Sequence, residues 1–205
     1  MNEFGFFSLT LAPIVWIVGA YLLGSIAFGI LVSRLFGLPD PRTVGSGNIG
    51  ATNVMRSGKK LAAFLTLAGD VFKGWLPVWL ALQSNMLMWV VAASGLAVFF
   101  GHLYPIFYKF RGGKGVATAL GVMLGISPTL ALTAVVTWLV VFLVSRYSSL
   151  AALVAALLAP AYAWFLLPYQ LYIGMIAVMS LFLIWRHRSN IQKLLVGTEA
   201  GFGKK

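Results

Sequence analysis

Residues 150–167 read LAALVAALLAPAYAWFLL, a stretch of eighteen positions without a charged side chain. A helix rises about 1.5 Å per residue, so roughly 20 apolar residues cross the hydrocarbon core of a bilayer. The apolar residues are continuous and do not alternate with polar ones, which favours a helix over a strand of a membrane barrel. The stretch therefore predicts a transmembrane helix.

Apolar segments of similar character occupy most of the remaining chain. Candidate spans cover residues 11–32, 61–82, 86–104, 116–126, 129–144, 150–167 and 171–185. The fourth is too short to cross alone, and Gly125, Ser127 and Pro128 interrupt the sequence before the fifth. We therefore predict an all-α, polytopic membrane protein with about seven transmembrane helices, one of them short or broken, and residues 1–205 as a single integral-membrane domain.

The composition agrees with a membrane protein and excludes several classes of function. Hydrophobic residues make up 60% of the chain and charged residues only 9%, whereas soluble domains carry about 25% charged residues. The absence of cysteine excludes a disulfide-stapled domain, a thiolate metal site and a cysteine thioester mechanism. Lys and Arg total 15 against 4 Asp and Glu, a formal charge of +11. We therefore expect anionic partners, membrane phospholipid among them, and no nucleic acid.

The basic residues are distributed unevenly between the two sides of the predicted spans. Lys and Arg gather in cytoplasmic loops near helix ends. An outside N-terminus at Glu3 places nearly every cation on the inner side, including Lys193, Lys204 and Lys205, and leaves only Lys73 within a span. We therefore predict an outside N-terminus and a cytoplasmic C-terminus. Adhesion to anionic lipid, at about 1 kcal/mol per basic residue, is the simpler explanation for some of these cations.

A glycine-rich loop, GSGNIGATNVMR at residues 45–56, joins the first two spans. Glycine allows successive backbone amides to converge on an anion and removes the side chain that would keep a ligand at a distance. A flexible linker is the alternative, although a linker does not normally combine glycines with Asn, Thr and Arg. We therefore predict that the loop cradles phosphate. Its candidate binding residues are Gly45, Ser46, Gly47, Asn48, Thr52, Asn53 and Arg56.

A second glycine cluster, FRGGKG at residues 110–115, joins the third and fourth spans. Arg111 and Lys114 place two cations beside the backbone amides of Gly112 and Gly113. The cluster is not a nucleotide P-loop, because a tyrosine stands where GxxxxGK[ST] requires its leading glycine and a glycine follows the lysine. The sequence therefore supports a second anion-binding loop, but not ATP or GTP binding.

Two further polar elements fall on the same predicted side of the membrane. Arg146, Ser148 and Ser149 precede the sixth span, and His187 and Asn190 follow the seventh. On a continuing helix His187 and Asn190 are three residues apart and share a face. A solvated helix end explains each element taken alone. Together with the glycine loops, however, they predict one pocket for a substrate with several phosphate groups, or for two phosphorylated substrates.

Asp70 and Lys73 lie inside the second span, three residues apart. A lone ion at the bilayer centre costs about 2.5–3.5 kcal/mol even on lenient insertion scales, so the two should pair and face the protein interior. The pair is either purely structural or shapes the floor of the polar pocket. We assign Asp70, Lys73 and His102 a supporting role.

Several catalytic motifs are missing from the sequence. There is no HExxH zinc motif, no His-x4-Asp acyltransferase pair and no carboxylate cluster that would hold Mg²⁺. A site poor in carboxylates is a poor metal site and offers few protein bases. We therefore expect no metal and no cofactor.

The motifs resemble, in order and spacing, a bacterial family of acyl-phosphate-dependent glycerol-3-phosphate acyltransferases, the PlsY type. The resemblance runs from residue 22 to residue 199, and Ile49 stands where proline is frequent. It rests on the segments GSGNIGATNVMR, DVFKGW, GHLYPIFYKFRGGKGVAT, RYSS, RHRSNI and GTE. It implies transfer of a fatty acyl group from acyl phosphate to the 1-hydroxyl of sn-glycerol 3-phosphate, which gives lysophosphatidic acid and phosphate.

The resemblance also implies a setting and a set of site residues. The setting is the bacterial inner membrane, with the active site facing the cytoplasm and a possible association with an enzyme that forms acyl phosphate. The implied catalytic residues are Ser46, Arg56, Lys114, His187 and Asn190. The implied substrate-binding residues are Gly45, Gly47, Asn48, Thr52, Asn53, Arg111, Gly112, Gly113, Arg146, Ser148 and Glu199.

Within that assignment, cations and glycine amides bind the two phosphate groups, and Asn48 and Asn190 orient the substrates. Acyl phosphate is an activated mixed anhydride, so charge neutralisation, positioning and oxyanion stabilisation supply most of the catalysis. We favour a substrate-assisted route in which a phosphate oxygen of glycerol phosphate accepts the hydroxyl proton. His187 as general base and Ser46 as covalent acyl carrier are the alternatives.

Two other functions compete with an acyltransferase. A membrane transporter of organic phosphates would also have a basic vestibule, but transporters usually show internal repeats and sites near the bilayer midplane. Here the glycine motifs lie at one predicted surface and neither has a second copy. A noncatalytic lipid-binding scaffold would have little use for two glycine loops.

Overall fold

The computed structural model describes residues 3–202, with side chains from residue 11 onward, and this part of the chain is helical without strands. The predicted all-α class is therefore confirmed. The predicted positions of the Glu3 side chain, Lys204 and Lys205 lie outside these residues. The chain forms two compact units, one reaching Ile126 and the other beginning at Ser127.

Six α-helices and one short 3-10 helix form the first unit. They are α1 (Glu3–Gly24), α2 (Phe28–Leu35), α3 (Ala51–Met55), α4 (Lys60–Gln83), α5 (Met88–Leu103), the 3-10 helix (Ile106–Tyr108) and α6 (Val116–Ile126). Glycines let these helices approach closely, as small residues do in membrane proteins. A Cβ atom at Gly121 of α6 would meet the backbone of Val71, and one at Gly24 of α1 would meet the backbone of Val98.

Four helices form the second unit, and α8 packs against both α7 and α9. They are α7 (Pro128–Ser145), α8 (Ser148–Leu166), α9 (Gln170–Arg186) and α10 (Arg188–Leu195). The interruption predicted between residues 126 and 129 is confirmed, because α6 ends at Ile126 and α7 begins at Pro128. Ser127 caps α7, its Oγ accepting a hydrogen bond from the Leu130 amide at 3.3 Å.

Among the residues that the structure describes, four helices are long and apolar enough to cross a membrane: Lys60–Gln83, Met88–Tyr108, Pro128–Ser145 and Ser148–Leu166. Two bent pairs bring the number to as many as 6, Leu11–Gly24 with Phe28–Leu35 at 45° and Gln170–Arg186 with Arg188–Leu195 at 55°. Val116–Ile126, the segment predicted to be short, accounts for the difference from seven. The membrane class is confirmed, and the side on which each end lies stays a prediction.

Candidate functional site

The first glycine loop is held together by the buried side chain of Asn53. Its Oδ1 accepts a hydrogen bond from the Ser46 amide at 2.9 Å. Its Nδ2 donates to the carbonyls of Pro41 at 2.8 Å and Val44 at 3.0 Å. Asn53 lies in α3, which forms the second half of the loop, so the short helix supplies the side chain that shapes the first half.

This geometry bears on two expectations for the first loop. The Asn53 side-chain amide hydrogen-bonds to the loop backbone and organises the loop, and a direct contact with substrate stays a prediction. The Gly47 amide donates to the Val44 carbonyl at 3.1 Å, and its part in an anion cradle stays a prediction. Gly45 and Gly47 have φ of 58° and 69°, which glycine adopts without strain. The exposed residues of the loop include Gly45, Ser46 and Arg56, and Asn48 and Thr52 are half-buried.

The second glycine loop is pinned to the end of α5 by its own amides. The Gly112 amide donates to the Leu103 carbonyl at 3.2 Å, and the Gly113 amide donates to the His102 carbonyl at 3.1 Å. Backbone carbonyls thus accept from both amides, and the expectation that these amides complete an anion cradle stays a prediction. Lys114, half-buried, and Arg111, exposed, remain the candidate phosphate ligands of this loop.

The first unit brings the two glycine loops together at Tyr108. The Tyr108 side chain packs against a buried cluster that includes Ile30 and Ile49, and Ile49 belongs to the first loop. The Arg42 guanidinium lies over the Tyr108 ring, 5.9 Å from its centroid. Because Tyr108 ends the 3-10 helix just before the second loop, a single aromatic side chain links both loops.

Asp40 and Arg42 form an ion pair at the entrance to the first loop. Arg42 Nη2 lies 2.6 Å from Asp40 Oδ2, and Arg42 Nε donates to the same carboxylate. Hydrogen bonding to Arg42 is the main reason that the pKa of Asp40 lies below its ordinary value. The carboxylate therefore stays charged in mildly acidic solution.

The predicted Asp70–Lys73 pair is confirmed and lies deep in the first unit. Lys73 is fully buried, its Nζ lying 2.7 Å from Asp70 Oδ1 and donating to the Ile26 carbonyl at 2.6 Å. Ile26 lies in the break between α1 and α2, where a carbonyl has lost its helical donor. His102 Nδ1 lies 3.5 Å from Asp70 Oδ1.

His102 connects this buried pair to the second glycine loop. A Cβ atom at Gly113 would meet the His102 imidazole, so the loop backbone rests directly on the ring. Contacts thus run from Lys73 through Asp70 and His102 to the residue before Lys114. A supporting role for Lys73, Asp70 and His102 stays a prediction. These contacts are the means by which the three side chains would support the second glycine loop.

In the second unit, Glu199 gathers side chains from two helices. Its Oε1 accepts hydrogen bonds from Ser149 Oγ at 2.5 Å and from Asn190 Nδ2 at 2.7 Å. Ser148, the predicted binding residue, begins α8 and is half-buried, whereas Ser149 is buried. Exposed Arg146 ends α7 with φ of 65°.

His187 is buried at the junction of α9 and α10, and one ring nitrogen is engaged there. Its Nδ1 lies 2.8 Å from the Leu183 carbonyl. A carbonyl only accepts hydrogen bonds, so we assign the proton to Nδ1, which leaves Nε2 as an acceptor while the ring is neutral. The arrangement suits a group that receives a hydrogen bond from a hydroxyl.

Sequence reasoning missed two contributors to these clusters, Tyr108 and the Ile26 carbonyl, and gave Ser149 no binding role of its own. Ser148 and Ser149 are adjacent, and the sequence does not tell which of them turns inward. Tyr108 stood within the recognised motif, but its packing against the other loop depends on tertiary structure. The Ile26 carbonyl is backbone, so side-chain motifs carry no signal for it.

Comparison with known proteins gives a consistent result. The family model described as glycerol-3-phosphate acyltransferase matches residues 14–197. A relative from Methylobacillus flagellatus, named glycerol-3-phosphate acyltransferase, is 68% identical over 93% of this chain and 97% of its own length. One from Nitrosospira multiformis with the same name is 58% identical over 94% of this chain and 97% of its own.

Two crystal structures of PlsY, an integral membrane glycerol 3-phosphate acyltransferase, share the fold. The glycerol 3-phosphate form matches with a TM-score of 0.90 and 43% identity, covering 94% of this chain and 96% of that chain. The lysophosphatidic acid form matches with a TM-score of 0.88 and 41% identity over the same shares. The family match, the identities and the shared fold agree, and the chain belongs to the glycerol-3-phosphate acyltransferase family of membrane enzymes.

Proposed function

We propose that this enzyme transfers a fatty acyl group from acyl phosphate to the 1-hydroxyl of sn-glycerol 3-phosphate and releases lysophosphatidic acid and phosphate. The observation that carries the proposal is the likeness, over nearly the whole chain, to solved structures of glycerol 3-phosphate and lysophosphatidic acid forms. Acyl phosphate as the donor rests on the resemblance of the motifs. The proposed setting is the bacterial inner membrane with the site facing the cytoplasm.

The reaction is an acyl transfer without a change of oxidation state. The hydroxyl oxygen of glycerol phosphate attacks the acyl carbonyl carbon, and the carbonyl oxygen becomes a transient oxyanion. The carbon–oxygen bond to phosphate then breaks, and inorganic phosphate leaves with its electron pair. The proton of the attacking hydroxyl passes to a phosphate oxygen of the same substrate. Phosphate is a good leaving group, so charge neutralisation and positioning supply most of the rate acceleration.

The proposed roles follow the chemistry of each side chain. Arg56 and Lys114 neutralise phosphate charge, and Arg111 and Arg146 add to the positive field. Ser46 supplies a hydroxyl from the exposed rim of the first loop. In this proposal Asn48, Thr52 and Ser148 hydrogen-bond to substrate. The amides of Gly47, Gly112 and Gly113 take no part in this proposal, because they donate to backbone carbonyls.

His187 is proposed to orient the attacking hydroxyl through Nε2 without taking its proton. Its Nδ1–Leu183 hydrogen bond supports this geometry. We expect the His187→Gln variant, which keeps a neutral polar group, to retain substantial turnover. Abolished turnover with substrate binding preserved would identify His187 as the base.

Turnover by the purified protein in detergent tests the function directly. The protein receives acyl phosphate and glycerol 3-phosphate in the presence of EDTA, without acyl-CoA or acyl carrier protein, and release of phosphate and formation of lysophosphatidic acid are followed. We expect both products in equal amounts. An enzyme that accepts only acyl-CoA or acyl carrier protein would contradict the proposed donor, and the absence of any turnover would favour the transporter.

A separate experiment tests whether Ser46 carries the acyl group covalently. Mixing the enzyme with acyl phosphate alone and examining the intact protein mass reveals any acyl-enzyme. We expect none, because Ser46 acts here by hydrogen bonding. A stable mass increase equal to one acyl group, absent from Ser46→Ala, would instead establish covalent catalysis.

A further inference from the structure

Three large apolar side chains are exposed at the end of α5, directly before the second glycine loop. They are Ile106, Phe107 and Phe110, with exposed fractions of 47%, 61% and 57%. The apolar helix that leads to them, Met88–Tyr108, is more buried inside the protein than the other three long apolar helices. Exposed apolar side chains grouped in this way indicate an interaction surface.

Basic side chains alternate with the apolar ones in this segment, residues 106–111. Lys109 and Arg111 are both exposed, and they flank Phe110. Segments that rest at a membrane surface combine Phe or Leu with Lys or Arg, because the apolar groups reach the acyl chains while the cations meet anionic headgroups. The charge and composition of the segment therefore match the surface of an anionic bilayer.

The position of the segment favours a membrane over a protein partner. The apolar helix Met88–Tyr108 is long enough to span the bilayer, and the 106–111 segment overlaps its end without a polar linker. A segment that continues a span in this way lies where the span leaves the hydrocarbon core. The bilayer surface is thus the nearest partner for the exposed rings.

Several backbone amides of the segment donate hydrogen bonds within the protein. The Tyr108 and Phe110 amides both donate to the Pro105 carbonyl, at 3.1 and 3.0 Å. The Ile106 amide donates to Ser25 Oγ at 3.3 Å. An amide without a partner is costly in an apolar medium, so these bonds suit a segment that enters the boundary of the bilayer.

A strained turn separates the inward and outward side chains of the segment. Lys109 and Phe110 have φ of 53° and 59°, a left-handed conformation that residues with a Cβ atom rarely adopt. Tyr108, just before the turn, packs against the buried residues Ile30 and Ile49, whereas Phe110 is exposed. Strain of this kind persists where the surroundings hold it, and it is concentrated in functional segments.

We propose that the 106–111 segment is an interfacial anchor. Ile106, Phe107 and Phe110 insert into the bilayer beside the end of α5, and Lys109 contacts the phosphate of anionic phospholipid headgroups. The anchor holds the second glycine loop at the depth where an acyl chain passes from the membrane to the site. This consequence for the acyl donor rests on the proposed function, whereas insertion into the bilayer does not.

The depth of the segment can be measured without any activity. The chain has no cysteine, so a nitroxide label can be attached to Phe107→Cys or Phe110→Cys in vesicles of phosphatidylcholine and phosphatidylglycerol. Ser57→Cys, in the exposed turn before α4, is the control. Labels at 107 and 110 should collide more with oxygen and less with a water-soluble nickel complex than the label at 57. Equal access of the nickel complex to all three would overturn the anchor and favour a protein partner for the patch.

The headgroup contact is tested in the Phe110→Cys background. Phosphatidylglycerol, compared with phosphatidylcholine alone, should reduce collisions of the label with the nickel complex. Adding Lys109→Gln, which keeps the length of the side chain but removes its charge, should diminish that difference. A difference of the same size with and without Lys109 would overturn the proposed headgroup contact.

A matched pair of double variants tests the consequence for catalysis in the same vesicles. Phe107→Ser/Phe110→Ser removes the apolar groups, and we expect the KM for acyl phosphate to rise by about 10-fold while the KM for glycerol 3-phosphate stays near wild type. Phe107→Leu/Phe110→Leu keeps apolar groups and should retain both KM values. An equal rise of both KM values, or an unchanged KM for acyl phosphate in the Ser variant, would overturn the link to the donor. Absent wild-type turnover would count against the proposed function alone, because the label measurements stand without it.

Discussion

At the scale of single residues, the hydrogen bonds of the backbone decide which groups remain for substrate. Gly47, Gly112 and Gly113 lie in loops that suggest anion binding, yet their amides donate to nearby carbonyls. In these loops glycine allows the backbone to pack closely against its neighbours and to adopt left-handed conformations. The proposed function therefore assigns charge recognition to the side chains of Arg56 and Lys114.

Gly113 offers a sharp test of close approach. A Cβ atom there would meet the His102 ring, whereas one at Gly37, where φ is also positive, would meet nothing within 4 Å. We expect Gly113→Ala to displace the second loop and to lose most activity, with a destabilisation of about 1–3 kcal/mol. Gly37→Ala, the control, should lose stability through backbone strain alone and keep its activity.

Turnover and thermal unfolding in detergent provide the measurements. Adding His102→Ala to Gly113→Ala removes the ring that obstructs the methyl group. The double variant should therefore recover part of the stability lost in Gly113→Ala. A double variant that is less stable by the sum of both losses would argue against the contact.

The Asp40–Arg42 pair predicts a weak pH dependence. The pKa of Asp40 is lowered in the folded protein, so the pair stabilises the fold above the ordinary pKa of 3.8 and this contribution is lost as the pH falls through the folded-state value. Because both side chains are partly exposed, we expect at most about 1 kcal/mol. Asp40→Asn should lower the unfolding temperature slightly at pH 7. Well below pH 3.8, the variant and the wild type should unfold at the same temperature. An undiminished difference in strong acid would contradict the assignment.

At the scale of elements, the buried Lys73 joins three parts of the first unit. It lies on α4, donates to the break between α1 and α2, and pairs with Asp70, which lies beside His102 of α5. The break in the first apolar segment is tolerable at membrane depth because a lysine satisfies its freed carbonyl. The same lysine ammonium therefore pairs with a buried carboxylate and donates a hydrogen bond to a backbone carbonyl that has lost its helical partner.

Removing one member of this pair should cost more than removing both. Lys73→Met leaves the Asp70 charge buried and uncompensated, and we expect a loss of about 3–5 kcal/mol. The double variant Lys73→Met/Asp70→Asn removes both charges and should recover part of that stability. Thermal unfolding of the single and double variants in detergent measures this. Turnover by the double variant then shows whether the contacts through His102 support the second glycine loop.

At the scale of the whole molecule, topology remains the main prediction to test. Basic residues and glycine loops are predicted on the cytoplasmic side, and the turn at Asn85 on the outside. The chain has no cysteine, so single cysteines can be introduced without background. Membrane-impermeant thiol reagents applied to intact cells should label a cysteine at position 85 and miss cysteines at positions 48, 114 and 190. The reverse pattern would invert the topology.

The sequence alone determined the all-helical membrane class, the position of the break before α7, the Asp70–Lys73 pair and the family. These follow from local properties: apolar length, helix-breaking residues, spacing on one helix face and contiguous motifs. The number of spans was less accessible, because whether a segment such as 116–126 or a bend such as that after Gly24 crosses the bilayer depends on neighbouring helices.

Tertiary structure alone decided which groups of the candidate site are already engaged. Asn53, Gly112 and Gly113 were equally good substrate ligands by sequence, and only their hydrogen bonds within the fold assign them to loop geometry. Likewise, only the fold shows that Ser149 and Asn190 both donate hydrogen bonds to Glu199. The physical reason is that a hydrogen bond is directional and short-ranged, so its partner is set by the folded position of distant chain segments and not by spacing along the sequence.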